Sequence, residues 1–270
     1  MYEGLEAFAP WLERWELEAD GWPFGTPYTR SLLLPVRRDG RAAMLKLAGN
    51  AEEARGGALM AWWAGGGAAP VLAQDGPALL MARAADPDAL PRMAFQGRET
   101  EAIAILCETA AALHGHAGEP PCELVPLRRW FRALEQRAAE GGLFGAAWAV
   151  AQPLLETPRD VVVLHGDITH ANVLDFGADG WRAIDPKALR GERGYDYANL
   201  FRSPTVAMAT PERLQRQLGE VAALAGLERE RLLGWVIAHA ALAAAWYAED
   251  GGDVARALPF VTMALAQSAA

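Results

Sequence analysis

Residues Val161 to Phe201 read VVVLHGDITHANVLDFGADGWRAIDPKALRGERGYDYANLF. The four apolar residues Val161 to Leu164 have the composition of a buried strand. His165-Gly166-Asp167 follows, so a carboxylate stands where a strand runs into a loop. Asn172 comes five residues later. Val173 to Phe176 reads as a second strand, Gly177 to Gly180 as a turn and Trp181 to Ile184 as the returning strand. If that hairpin closes symmetrically, Val173 lies opposite Ile184 and Asn172 opposite Asp185. Asp167, Asn172 and Asp185 then share one small space.

Two carboxylates and an amide oxygen, with no cysteine nearby, suit a hard divalent cation such as Mg²⁺, which also keeps water and phosphate oxygens as ligands. Position divides the labour. Asp185 and Asn172 can hold metal, and Asp167 on the preceding loop can accept a proton from an incoming hydroxyl. An aspartate five residues ahead of a metal-binding asparagine, with a second aspartate on the next hairpin, is the arrangement of kinases.

HGDITHANVL followed by IDPKALRGERGYDYANLF resembles the aminoglycoside phosphotransferases, in particular the streptomycin and hydroxyurea resistance kinases. That family usually carries a histidine where Thr169 stands and often a glycine where Ala171 stands. Neither change touches a candidate ligand. The resemblance implies ATP as phosphoryl donor and a streptomycin-like aminoglycoside as hydroxyl acceptor.

The whole chain is compatible with this. It has 270 residues, enough for two lobes with a real core, and 52% are hydrophobic, as in a globular protein. The net charge of −9 argues against a nucleic-acid partner and suits a cationic acceptor, although mild acidity also serves plain solubility. The run Leu232 to Ala248, broken by His239, is shorter than the roughly 20 residues of a membrane span. The acidic, amphipathic N-terminus lacks the pattern of a secretory signal. Two cysteines give neither a disulfide framework nor a zinc pattern. A cytoplasmic monomer or weak dimer with no membrane partner is expected.

Upstream, residues 3 to 19 read as a helix with Leu5, Phe8, Leu12 and Trp15 along one side, kinked or shortened at Pro10. Ser31 to Val36 and Arg41 to Leu47 form a hairpin. Gly25 to Arg30 stands where a kinase keeps its phosphate-covering loop, but it is poor in glycine. Alternation points Lys46 away from Leu45 and Leu47. A helix from near Ala51 carries Glu52 and Glu53, and a kinase needs a strand lysine on the α/β-phosphates held by a helical glutamate. GNAEEARGGALMAWWAGGGAAPVL also resembles the family here, which implies Glu53 as the partner, with Glu52 left open. Val71 to Ala73 and Leu79 to Met81 read as another hairpin. The resemblance implies that Met81 and Arg83 flank the adenine.

The rest reads as helical: Arg98 to His114, Leu127 to Ala139, Phe144 to Leu155, a helix capped by Thr210-Pro211, Glu228 to Ala248, and Asp253 to Ala266. His114 and His116 read as helix-end caps and His239 as a satisfied buried histidine. Asp196 reads as an N-cap for Tyr197 to Phe201, and Lys187 and Arg190 as surface. His165 supports its loop by hydrogen bonding. The expected architecture is α+β, a bilobal protein kinase-like fold, with a nucleotide-binding lobe over 1–83 and a helical lobe over 84–270. The resemblance of the EDGGD stretch implies Glu192, Glu249, Asp250 and Asp253 as acidic candidates for a cationic acceptor's pocket, and the same residues also read as a plain acidic helix end and loop. Alternatives are a kinase of a housekeeping sugar or amino alcohol, a non-catalytic nucleotide-binding pseudokinase, or a metallohydrolase built on His165, Asp167 and His170.

Overall fold

The computed structural model describes residues 4–25, 31–63 and 65–268. The N-terminal lobe is a five-stranded sheet of order β1-β2-β3-β5-β4, built from β1 (Glu18–Ala19), β2 (Leu32–Arg38), β3 (Arg41–Leu47), β4 (Val71–Asp75) and β5 (Ala78–Ala82). A short helix, α1 (Ala9–Arg14), precedes β1, and α2 (Ala51–Trp63) joins β3 to β4. The long N-terminal helix is not formed. A 3₁₀ turn at Leu5–Ala7 is followed by a six-residue helix whose first turn holds Pro10. Proline lacks an N–H and fits the first turn of a helix better than its interior. The apolar side is nonetheless used: Phe8 is fully buried, and Leu5, Leu12 and Trp15 pack on the same cluster as Leu34, Val36, Ala43, Leu45 and Leu80.

The C-terminal lobe is mainly helical. It runs through α3 (Ala89–Phe95), α4 (Glu99–His114), the two-residue β6 (Val125–Pro126), α5 (Leu127–Trp130), α6 (Arg132–Ala138) and α7 (Gly142–Glu156). Then come β7 (Val161–Leu164), β8 (Val173–Asp175), β9 (Trp181–Ala183), β10 (Leu189–Glu192), α8 (Gly194–Ala198), α9 (Pro211–Ala225), α10 (Arg229–Glu249) and α11 (Leu258–Ser268). β6, β10 and β7 form a three-stranded sheet, and β8 and β9 form the hairpin. The helix expected over Leu127 to Ala139 is divided at Phe131. As expected, the Thr210 hydroxyl caps α9 by accepting from Arg213 N at 3.1 Å. α10 has the length and mean hydropathy of a membrane span, yet 72% of its apolar window is buried inside the protein. It is the axial helix of the C-terminal core, with Leu232, Trp235, Val236, Ile237 and Leu242 packed among α6, α7 and α8.

The two lobes meet through a third cluster. Met60 of α2 and Leu79 and Met81 of β5 pack with Leu174 and Phe176 of the hairpin segment, flanked by Met44 and Ile184. The chain after α2 is stitched to β9, since Ala69 N donates to Ala183 O and Ala183 N donates to Gly67 O. The hairpin that carries the candidate metal residues is thereby fixed to the N-terminal lobe.

Candidate active site

β3 supplies the first side chain. Ala43 and Leu45 point into the outer cluster, so strand alternation sends Lys46 to the opposite face. There its ammonium meets Glu53 Oε2 at 2.5 Å and also contacts Asp185 Oδ1. Glu53 lies in the first turn of α2, its N–H capped by Asn50 Oδ1 at 2.9 Å, and its carboxylate also accepts from Ser31 Oγ at 3.0 Å. Of the two adjacent glutamates, Glu53 is the buried one that faces the lysine.

The hairpin register differs by one residue from the symmetric closure. Val173 pairs with Ala183, not Ile184, and Ile184 N donates to Asn172 O at 2.9 Å. The turn absorbs the difference in a 3₁₀ segment, Gly177–Asp179. Asp185 then adopts φ 62°, a left-handed conformation that redirects its side chain at the strand end. Its two carboxylate oxygens are held by different lysines: Lys46 on Oδ1, and Lys187 on Oδ2 at 2.8 Å. Burial alone would raise the Asp185 pKa, but these two ammonium groups outweigh it and hold the carboxyl below its ordinary value. Lys187, expected on the surface, is instead 19% exposed and turned onto Asp185. Its burial is also outweighed, and Asp185 keeps its pKa above the usual lysine value.

Asp167 is positioned by two amides. Asn172 Nδ2 donates to Oδ2 at 2.9 Å and Asn199 Nδ2 donates to Oδ1 at 2.7 Å. Asn199 lies within the stretch that carries the resemblance, but no local spacing assigns it a role, because its partner is 32 residues away. Its segment is anchored by Arg213, which donates to Phe201 O and Ser203 O while pairing with Glu99 of α4. Asn172 uses its amide nitrogen on Asp167, which leaves its amide oxygen, like the carboxylate of Asp185, as a candidate oxygen donor. Both are oxygen donors of the kind magnesium prefers.

The loop bearing Asp167 is held from below by Asp196. This residue is not an N-cap. It lies within α8, fully enclosed, and accepts from His165 N at 2.9 Å, Gly166 N at 2.7 Å and the His114 ring at 2.8 Å. Burial would raise its pKa, but the His114 hydrogen bond and charge bring it below the ordinary value. His114 is therefore a clamp on Asp196 and not a helix cap. His116 meets the Trp62 ring edge-on. His165 supports the loop as expected: its Nδ1 accepts from Asp167 N at 3.2 Å and its Nε2 donates to Ile184 O at 2.8 Å.

The metallohydrolase cluster is not assembled. The His170 ring faces Ser203 Oγ at 2.8 Å, and no group of three His, Cys, Asp or Glu suited to metal occurs among the described residues. Burial, reinforced by Arg213, pushes His170 down to about 4. Glu192 is not on a substrate rim. It is buried and accepts from Arg231 at 2.5 Å and Trp235 Nε1 at 2.8 Å. Arg190 is exposed, as expected. Met81 lies in the cluster that joins the lobes, whereas the Arg83 guanidinium pairs with Asp20 at 2.5 Å. The phosphate-covering loop expected at 25–30 lies, beyond Gly25, outside the described residues.

Gly56, one turn after Glu53, lets α2 approach the Asp185 segment. A Cβ there would stand 2.4 Å from Pro186 O. Gly56→Ala gains up to about 1 kcal/mol in helix propensity, but overpacking against a backbone carbonyl costs about 1–3 kcal/mol. The expected result is a lower melting temperature together with weaker ATP binding, measured by thermal denaturation and titration. An unchanged pair of values would show that α2 does not need this approach.

A second expectation concerns pH. His239 is buried in α10 with no hydrogen-bond partner for Nδ1 among the described residues, so it is buried but not satisfied. Burial, with repulsion from Arg202, lowers its pKa to about 3. The unfolded chain takes up this proton below its ordinary value near 6.5, and the folded chain does not. Its stabilising contribution is thus complete above that pH and declines on acidification, by about 2 kcal/mol at pH 5. Urea unfolding of wild type and His239→Gln between pH 7 and 5 tests this. The wild type should lose stability faster, and parallel curves would refute the assignment.

A family model described as aminoglycoside/hydroxyurea antibiotic resistance kinase matches residues 14–251. The chain belongs to this family. It is 46% identical to a streptomycin 3''-kinase from Klebsiella pneumoniae, over 89% of this chain and 92% of that protein. It is 32% identical to a streptomycin 6-kinase from Streptomyces glaucescens, over 89% of this chain and 81% of the relative. Among solved structures, an aminoglycoside phosphotransferase APH(4)-Ia variant in ternary complex with AMP-PNP and hygromycin B superposes with a TM-score of 0.67. The two are 16% identical, with 97% of this chain and 98% of that chain covered. The protein kinase-like bilobal fold is thus shared at low identity, and the chain is a phosphotransferase with an alcohol group as acceptor.

Proposed function

We propose that this family member transfers the γ-phosphoryl group of ATP to a hydroxyl of a streptomycin-like aminoglycoside, with Asp167 as catalytic base. The observations that carry the reading are the connected charge chain of Lys46, Glu53 and Asp185 and, on the loop joined to it through Lys187 N and His165 O, an Asp167 carboxylate held by two amides. Residues 1–83 form the nucleotide lobe and 84–270 the acceptor lobe. Asp185 and the Asn172 amide oxygen would hold Mg²⁺, which would neutralise phosphate charge when bound. Lys46, fixed by Glu53, orients the α- and β-phosphates. Met81 and the Arg83 backbone border the adenine. Asp167 orients the acceptor hydroxyl and takes its proton late, as a loose transition state requires.

Support for a cationic acceptor comes from the end of α10. Glu249 and Asp250 are exposed there, at the helix terminus where the macrodipole disfavours carboxylates. They contribute nothing evident to helix stability and are suited to guanidinium or ammonium groups, with Asp253 nearby in sequence. The two streptomycin kinases that resemble this chain differ in the position their names give, so the phosphorylated hydroxyl is open to assay. The enzyme works in the cytoplasm as a monomer or weak dimer.

Measuring ADP release with streptomycin, hydroxyurea, choline and a simple sugar tests the reading. Streptomycin should accelerate ADP release far above the acceptor-free rate. Acceleration only by choline or sugar would move the enzyme to metabolism, and nucleotide binding with no turnover for any acceptor would make it a pseudokinase.

A further inference from the structure

We propose that Lys187 is a catalytic residue that donates a hydrogen bond to the transferring phosphoryl group; this rests on the phosphotransfer reading above. Three features place it. Asp185 and Ala188 both adopt left-handed backbone, with φ 62° and 54°, so the chain between them bends back on the loop bearing Asp167. Lys187 N donates to His165 O at 2.7 Å, which fixes the residue beside that loop. Gly166, with φ 87°, leaves the room: a Cβ there would come within 3.0 Å of Lys187 Cβ. The lysine stem therefore starts against the residue preceding Asp167, and its ammonium ends 2.8 Å from Asp185 Oδ2. It spans the interval between the residue that receives the acceptor's proton and the residue that would hold the metal. The transferring group must pass through that interval.

Charge balance gives the same answer. Lys46 is already neutralised by Glu53 and reaches the other Asp185 oxygen. A second ammonium on Asp185 adds little to stability, because the desolvation of a largely buried ion pair offsets most of its attraction. Were Asp185 to hold a metal ion, the Lys187 N–H groups would be free to donate to anionic phosphate. In the step itself, the acceptor oxygen forms a bond to the γ-phosphorus while the bond from that phosphorus to the β-bridging oxygen breaks. The hydroxyl proton passes to Asp167 and ADP leaves with the bond's electron pair. Lys187 stays protonated throughout and donates to a non-bridging oxygen, where charge is carried in the transition state.

The test compares Lys187→Met, Lys187→Arg and, in parallel, Asp167→Asn. For Lys187→Met, kcat for streptomycin-dependent ADP release should fall about 100- to 1,000-fold, the usual loss for one donor to developing charge, with the KM for ATP changed less than about threefold. Lys187→Arg should recover at least about tenfold of that loss, since it restores a cationic donor. Binding of ADP with magnesium and aluminium fluoride, a planar mimic of the transferring group, should weaken by a factor similar to the kcat loss, while ADP alone binds as before. The proposal is overturned if Lys187→Met keeps kcat within threefold, or if it loses ADP affinity and melting temperature together with no selective loss of the fluoride complex. A silent Lys187→Met with an inactive Asp167→Asn sinks only the lysine's role. An active Asp167→Asn moves the base to another residue, and a wild type whose ADP release ignores every acceptor sinks the phosphotransfer reading beneath it.

Discussion

Asp167→Asn is expected to lower streptomycin-dependent ADP release by about 1,000-fold while leaving ATP affinity within about threefold of wild type. The effect has two sources. An amide cannot take the acceptor's proton. It also presents an NH₂ group to one of two NH₂ donors, Asn172 or Asn199, which now bond both carboxylate oxygens at 2.9 and 2.7 Å. One of those contacts must break or one neighbouring amide must flip, so the hydroxyl loses its base and its positioning at once. In the proposed reading nucleotide affinity rests on Lys46 and Asp185 and should survive. Steady-state kinetics paired with nucleotide titration separate the two quantities. Near-normal turnover would assign the base to another residue.

Asp196→Ala is expected to be the most damaging single change to stability. It strips three hydrogen bonds, from His165 N, Gly166 N and the His114 ring, inside a site that is 1% exposed. Removing one partner from a buried charged network typically costs about 3–5 kcal/mol, which for a chain of this size corresponds to a fall of about 10 °C in melting temperature. The catalytic loop would lose its floor, so turnover should collapse even at temperatures where the variant stays folded. Calorimetry and ADP release on the same preparation check this. A melting temperature within about 2 °C of wild type would mean that the loop is held by packing and not by this carboxylate.

The contrast between these two aspartates marks what the sequence reveals. Asp167 stands after a buried strand and ahead of Asn172 at a fixed local spacing, so its place could be read directly. Lys46 was legible because strand period turns it away from Leu45 and a helix bearing Glu52 and Glu53 follows, although a strand lysine by itself more often marks a solvated face. The bilobal architecture followed from strands early in the chain and helices later. Asp196 misled because its local setting, a polar residue before a short helix, looks like a cap. Its real partners lie 30, 31 and 82 residues away, and no local pattern carries that information. Lys187 misled because a lysine in a loop is usually solvated. Only the two left-handed residues around it, at Asp185 and Ala188, swing it inward. The hairpin register slipped by one because a 3₁₀ turn replaced a symmetric closure; Asn172 still meets Asp167, while the left-handed backbone at Asp185 turns its carboxylate onto Lys46 and Lys187.

The most direct measurement follows the phosphoryl group itself. Purified protein is mixed with γ-labelled ATP, magnesium and streptomycin, and the products are separated. Label should appear on streptomycin in step with ADP formation, and should vanish when the metal is chelated or Asp167 is replaced by asparagine. Label released as inorganic phosphate at the same rate with and without streptomycin would contradict the assignment of this cleft as a phosphotransfer centre.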